Sequence, residues 1–174
     1  SLRYTLKDAT GKVVKSATTA INGEGKAETT MAVSNPAKWT AETPELYTLL
    51  LCVGGEYTRF NVGFRRFEIQ GDIFLVNGQP VKFKGVNLHE TDPYTGHYVT
   101  RERMLQDLRL MKENNINGIR TCHYPQPRMF YDLCDSLGFY VYSEANVESH
   151  GMFYDLDKTL GNKPEWYGNH IYRI

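Results

Sequence analysis

Cysteine is scarce in this chain. Cys52, Cys122 and Cys134 are the three among 174 residues, an odd number with no Cys-x-x-Cys spacing. That argues against a disulfide framework and against a cysteine-based zinc site, and favours three reduced thiols acting as small apolar residues. A charge of one sign is also missing: twenty Lys and Arg balance twenty Asp and Glu, for a net charge of zero. No basic footprint points to nucleic acid, and no Lys/Arg run points to a membrane surface. No apolar stretch approaches the roughly 20 residues needed to span a bilayer. Internal repeats and low-complexity segments are absent. Ser1-Leu2-Arg3-Tyr4 lacks a charged-then-apolar leader pattern and reads as the middle of a strand. Aromatics, by contrast, are plentiful, with twelve Tyr, eight Phe and two Trp. They suit a sugar pocket or a large core equally.

The chain changes period near its middle. Residues 1–64 read as all-β. Leu2, Tyr4 and Leu6 alternate with polar positions, and Asp8-Ala9-Thr10-Gly11 makes a turn. Val13-Val14 and Ala17 to Ile21 continue in short extended pieces, and Asn22-Gly23-Glu24-Gly25 turns again. Ala27 to Val33 is a Thr-rich strand candidate. Tyr47 to Val53 is a buried strand closed by Gly54-Gly55, and Glu56 to Val62 pairs with it. Short strands with a turn every ten or so residues predict a sandwich. Such a domain takes about seven strands; five or six are legible, so one or two N-terminal strands are expected to be missing. Phe67-Glu68-Ile69 and Phe74-Leu75-Val76 read as short bridging strands, and Asn77-Gly78 is a hairpin signal.

From Val81 the pattern becomes strand, helix, strand, helix, strand. The strands are predicted at Val81–Val86, Gly118–Arg120 and Phe139–Tyr142. The helices are predicted at Arg101–Asn114, with Thr100 as N-cap, and at Pro127–Leu137, with Gly138 just past its end. Alternating βαβαβ implies a parallel sheet. Met152 to Ile174 reads as loop, with a helix beginning near His170.

Each parallel strand hands over to a polar, titratable stretch: Asn87-Leu88-His89-Glu90, Arg120-Thr121-Cys122-His123-Tyr124 and Glu144-Ala145-Asn146-Val147-Glu148-Ser149-His150. The C-terminal ends of barrel strands line one shared pocket, so three such ends in succession predict a catalytic face. Glu148 and His150 are two apart. In an extended segment they face the same way and form either an oxygen-rich magnesium-type site or a salt-linked pair. Arg120 in an apolar strand needs a carboxylate partner; Glu144 is the candidate, as partner or as substrate contact. His123 and His89 read as site groups or as satisfied loop histidines. Asn87 and Asn146 are either hydroxyl ligands or turn formers.

Taken together these residues resemble glycoside hydrolase family 2, and most closely its bacterial β-galactosidases. Trp39-Thr40-Ala41-Glu42-Thr43-Pro44-Glu45-Leu46-Tyr47 looks like the family's Trp…Pro-x-Leu-Tyr signature. Val62-Gly63-Phe64-Arg65 resembles its domain exit, and Phe74 to Pro80 its entry into the barrel. The three strand-end motifs follow in order. The resemblance implies an incomplete immunoglobulin-like β-sandwich (1–64) followed by the first three βα units of a (β/α)8 TIM barrel (65–174). It implies a retaining mechanism with two catalytic Glu residues, acid/base and nucleophile, both expected beyond Ile174. It makes Glu148 and His150 ligands of an active-site magnesium, His89 and His123 sugar-contacting imidazoles beside Asn87 and Glu144, and Arg120 the residue that orients the nucleophile.

Some positions depart from the galactosidase pattern. Thr91 follows Glu90 where His-Glu-His is frequent, Cys122 stands where Ser is common, and Gln126 stands where Asn is common. The expectation is part of an enzyme cleaving terminal β-D-galactosides, inactive as this chain alone. Its partner is the sugar, with neither nucleic acid nor membrane, and the parent enzyme has room to be a homo-oligomer. The alternatives are a non-catalytic carbohydrate-binding or scaffold module, a relative acting on β-glucuronides or β-mannosides, and a metal-dependent hydrolase on a similar barrel.

Overall fold

The computed structural model of the protein describes residues 1–153 and 155–174. It forms two compact units: Ser1–Lys82 with Asp135–Gly138, and Phe83–Cys134 with Phe139–Ile174.

In the first unit, β1 (Leu2–Lys7), β2 (Val13–Thr19), β3 (Tyr47–Val53) and β4 (Glu56–Val62) form an antiparallel sheet in the order β2-β1-β3-β4. The Asp8 carboxylate closes the first turn by accepting from the Thr10 and Lys12 amides, each at 3.0 Å. Gly54 and Gly55 both take positive φ, 59° and 89°, in the two-residue link between β3 and β4. Register pairs Tyr4 with Leu51 and Leu6 with Leu49. In an antiparallel sheet such pairs share a face, and Tyr4 and Leu6 are buried on it.

Ala27 to Val33, expected as a strand, is irregular. It touches the sheet through side chains, as in the Tyr4 Oη to Thr29 Oγ1 contact at 3.4 Å. Among the described residues no backbone ladder pairs with it, and extended propensity without a ladder partner does not make a strand.

The residues of the Trp…Leu-Tyr signature pack with those of the exit motif. Trp39 is 1% exposed. Its amide donates to the Phe64 carbonyl at 3.0 Å, and its indole Nε1 donates to the Asp135 carbonyl at 2.7 Å. The Arg65 guanidinium lies 4.8 Å from the ring centre. Gly63 packs closely here, since a Cβ there would sit 3.1 Å from Trp39 and the indole would have to give. Tyr47 packs edge-on against Phe64 with ring centres 4.9 Å apart. The unit ends in a second sheet of β5 (Phe67–Gln70), β6 (Ile73–Val76) and β7 (Gln79–Pro80). Asn77 and Gly78 turn β6 into β7 with φ of +53° and +80°, the pair of left-handed residues that an Asn-Gly hairpin uses.

The second unit contains β8 (Gly85–Leu88), α1 (Arg101–Glu113), β9 (Gly118–Thr121), α2 (Arg128–Leu137, its last residues counted with the first unit), β10 (Tyr140–Ser143) and α3 (Tyr167–Tyr172). The strands are parallel in the order β10-β9-β8, and they form an open sheet, not a closed barrel. The Thr100 hydroxyl caps α1 by accepting from the Arg103 amide at 3.3 Å. Met104 and Leu108 of α1 and Phe130, Leu133 and Cys134 of α2 are buried, as are Ile119 and Thr121 of β9. Arg120, between those two, falls on the opposite face.

Two expectations shift. The first parallel strand lies at Gly85–Leu88, not Val81–Val86. Its start is fixed at Lys84, whose carbonyl accepts from the Asn117 and Gly118 amides at 3.0 and 3.3 Å and whose amide donates to the Asn117 side chain at 2.8 Å. The last helix begins at Tyr167 rather than near His170.

Candidate active site

The sheet brings its polar tips to one place. Asn87, Arg120 and Tyr142 are register partners across β8, β9 and β10 and so share a face. Arg120 donates through Nε to Glu144 Oε1 at 2.6 Å. Its Nη1 lies 3.5 Å from Asn87 Oδ1, and its Nη2 lies 3.4 Å from His123 Nδ1. Glu144 follows β10, and its backbone is fixed by donation to the fully buried Thr121 hydroxyl at 3.1 Å. Its second oxygen, Oε2, is 2.9 Å from His123 Nδ1, and Glu148 Oε2 is 3.6 Å from the same nitrogen. An ionised carboxylate only accepts. His123 therefore presents an N–H to Glu144 through Nδ1.

The His89 ring stands edge-on to His123 with centres 5.5 Å apart, and 6.1 Å from the ring of Tyr124. Tyr124 in turn accepts from the Glu90 amide at 3.2 Å. His89, His123 and Glu148 are thus held together, with Asn87, Arg120 and Glu144 around them. The Glu144 carboxyl is held below the usual carboxylate range, first by its hydrogen bond from Arg120 and then by that to His123, against the opposing effect of desolvation. The ion pair expected between Arg120 and Glu144 is present.

Glu148 and His150 do not sit on extended backbone. Ser149 between them takes φ −130° and ψ 27°, and a 3-10 turn, His150–Met152, begins at once. The His150 amide donates to Glu148 Oε1 at 2.8 Å, a local bond of the kind that competes with extended structure. Asn146 also acts through its backbone, its carbonyl accepting from Arg173 at 3.1 Å.

Among the described residues, the one group of three potential metal-ligating side chains is His89, Cys122 and His123, whose donor atoms all lie within 4.8 Å of one another. The absence of Cys-x-x-Cys hid this group, because its members come from the ends of two neighbouring strands. Thr121 was also missed as a support for Glu144. The available signal was its alternation with Arg120 along β9.

Residues 1–65 match glycosyl hydrolases family 2, and residues 67–174 match the glycosyl hydrolases family 2 TIM barrel domain. The chain belongs to glycosyl hydrolases family 2. It is 45% identical over 145 residues to a beta-galactosidase of Pseudoalteromonas haloplanktis, with 80% of this chain and 14% of that protein covered. It is 43% identical over 174 residues to a beta-galactosidase of Halalkalibacterium halodurans, covering 95% of this chain and 17% of the relative. Among solved structures it resembles the Faecalibacterium prausnitzii beta-glucuronidase, at TM-score 0.74 and 35% identity, over 82% of this chain and 23% of that one. The chain therefore spans about a seventh to a sixth of the length of these curated relatives.

Proposed function

We propose that this chain is part of a retaining glycoside hydrolase that cleaves terminal β-D-galactosides, and that it forms one wall of the sugar site. In this reading, residues 1–64 belong to an immunoglobulin-like sandwich and residues 65–174 open a (β/α)8 barrel. The observation that carries the proposal is the convergence of Asn87, His89, Arg120, His123, Glu144 and Glu148 at the C-terminal ends of three parallel strands, where barrel enzymes keep their chemistry.

His89, His123 and Asn87 offer donors and acceptors to sugar hydroxyls. Arg120 and Glu144 form the rigid pair that sets the position of both His123 and whatever carboxylate Arg120 faces. Neither Glu144 nor Glu148 is assigned the chemistry. A glycosidase acid needs a raised pKa, whereas that of Glu144 is lowered and both its oxygens are committed. One oxygen of Glu148 is tied to its own turn. The acid/base and the nucleophile are therefore proposed to come from strands outside this chain.

By donor chemistry the hard carboxylate oxygen of Glu148 and the imidazole of His150, both exposed, suit magnesium, but the turn at Ser149 takes them off the extended spacing that would make them converge. Bound there, the ion would supply positive charge beside the reacting sugar. Among the described residues, neither belongs to a group of three potential metal ligands.

Resemblance to glucuronidase structures favours a second reading, with a glucuronide as substrate. Without a bound cation, the charge of the site argues against it. Its one guanidinium is neutralised by Glu144, and Glu148 adds a second carboxylate, which repels an anionic sugar.

The test compares an aryl β-galactoside with the corresponding glucuronide, using both the enzyme that carries this chain and the chain alone. The parent is expected to hydrolyse the galactoside and release the β-anomer first by NMR, and the chain alone is expected to be inactive. A preference for the glucuronide, or turnover by the isolated chain, overturns the proposal.

A further inference from the structure

We propose that His89, Cys122 and His123 form a second, thiolate-containing metal site, selective for a borderline divalent ion such as Zn2+ and adjoining Glu148 of the hard-cation pair. It rests on the galactosidase reading in one respect only, its effect on turnover. The three donors, a ring nitrogen from each histidine and the Cys122 sulfur, lie within 4.8 Å of one another. Around a tetrahedral zinc, such donors stand about 3.4–3.6 Å apart, given bond lengths of about 2.0–2.3 Å. Closing the remaining gap of roughly 1 Å requires rotation of one mobile ring. His89 is exposed and can supply it, while Cys122 and His123 are held by the strand end.

Three further features favour the site. His123 Nδ1 donates to Glu144 at 2.9 Å. This is the carboxylate–histidine arrangement that fixes a ligand's tautomer and raises its basicity, and it leaves Nε2 to bind. Cys122 is only 3% exposed, with its Sγ donating to the Leu88 carbonyl at 3.5 Å, so its sulfur has a fixed direction. The site also keeps an open fourth position, because His89 is at the surface. Binding exchanges the thiol proton for the metal: Cys–SH plus M2+ gives Cys–S–M+ and a released proton. Nitrogen and sulfur donors select zinc over magnesium, so the two sites take different ions. Occupancy withdraws the imidazoles of His89 and His123 from the sugar, and Zn2+ then competes with the substrate.

Metal-free, reduced protein titrated with Co2+ is expected to develop a thiolate-to-cobalt charge-transfer absorption that saturates stoichiometrically and is erased by Zn2+. Cys122→Ser, which installs the residue common in the galactosidases, is expected to lose the band and to bind Zn2+ at least about tenfold more weakly. His89→Asn keeps the sulfur and is expected to weaken cobalt binding by a similar factor. In the parent enzyme, Zn2+ is expected to raise KM for the aryl galactoside, and Cys122→Ser to be relieved of that effect. Absence of the band overturns the site, as does a band that survives Cys122→Ser and so arises from Cys52 or Cys134. Unchanged cobalt affinity in His89→Asn does the same. If the galactoside is never hydrolysed, the substrate reading fails while the cobalt band still decides the metal site.

Discussion

Glu144 commits one oxygen to the Arg120 guanidinium and the other to the His123 imidazole, at 2.6 and 2.9 Å. Both bonds favour the ionised carboxylate. Since its pKa in the folded chain lies below the unfolded value, Glu144 stabilises the fold fully above that unfolded value. The contribution is lost as pH falls through the lower, folded one. A carboxyl-detected NMR titration should therefore place Glu144 below an ordinary glutamate, for which about 4.3 is typical. Arg120→Lys keeps the charge but removes the fork that reaches Glu144, Asn87 and His123 together. In that variant the Glu144 midpoint should move back up, because the hydrogen bond from Arg120 is the largest cause of the shift. A wild-type midpoint at or above the ordinary value, or no movement in Arg120→Lys, would show that the pair does not hold the carboxylate.

At the scale of elements, the end of α2 is a sensitive joint. Gly138 follows the helix with φ +82°, and a Cβ there would lie 2.3 Å from the Ala41 carbonyl oxygen. Backbone cannot yield as a flexible side-chain tip can. Gly138→Ala should lower stability by at least about 1–2 kcal/mol from the left-handed conformation alone, with the clash added to that. Chemical denaturation checks this, and an unchanged midpoint would refute it. Gly138 was legible as a helix stop, but its closeness to Ala41 was not, because nothing local links positions so far apart in the chain. The same division runs through the other elements. Helix α1, its Thr100 cap and the Gly54-Gly55 hairpin could be read directly, because periodicity, capping and turn chemistry act over a few residues. The start of β8 could not, because it is set by Asn117 and Gly118 at the entry to the neighbouring strand. Ala27 to Val33 has strand composition and no ladder. In the site, the grouping of His89, His123 and Glu148 followed from strand-end logic, while Cys122 joined it only through the pairing of β8 with β9. The turn at Ser149 broke the extended spacing assumed for Glu148 and His150.

At the scale of the whole molecule, the three-stranded parallel sheet is unusual in what it leaves uncovered. Parallel sheets are normally buried on both faces, yet Tyr142, on the face shared with Arg120, is 70% exposed. Among the described residues, β8 and β10 each pair on one side only, so both outer edges offer unmade backbone hydrogen bonds of the kind that recruit other strands. Charge does little to oppose this, because the chain is formally neutral at pH 7, and proteins near zero net charge associate most readily. The isolated chain should therefore self-associate in a concentration-dependent way at neutral pH, as read by sedimentation velocity. Dilution should shift the distribution toward monomer. A monomer at every concentration at pH 7 would mean that the exposed edges and the Tyr142 face are not adhesive.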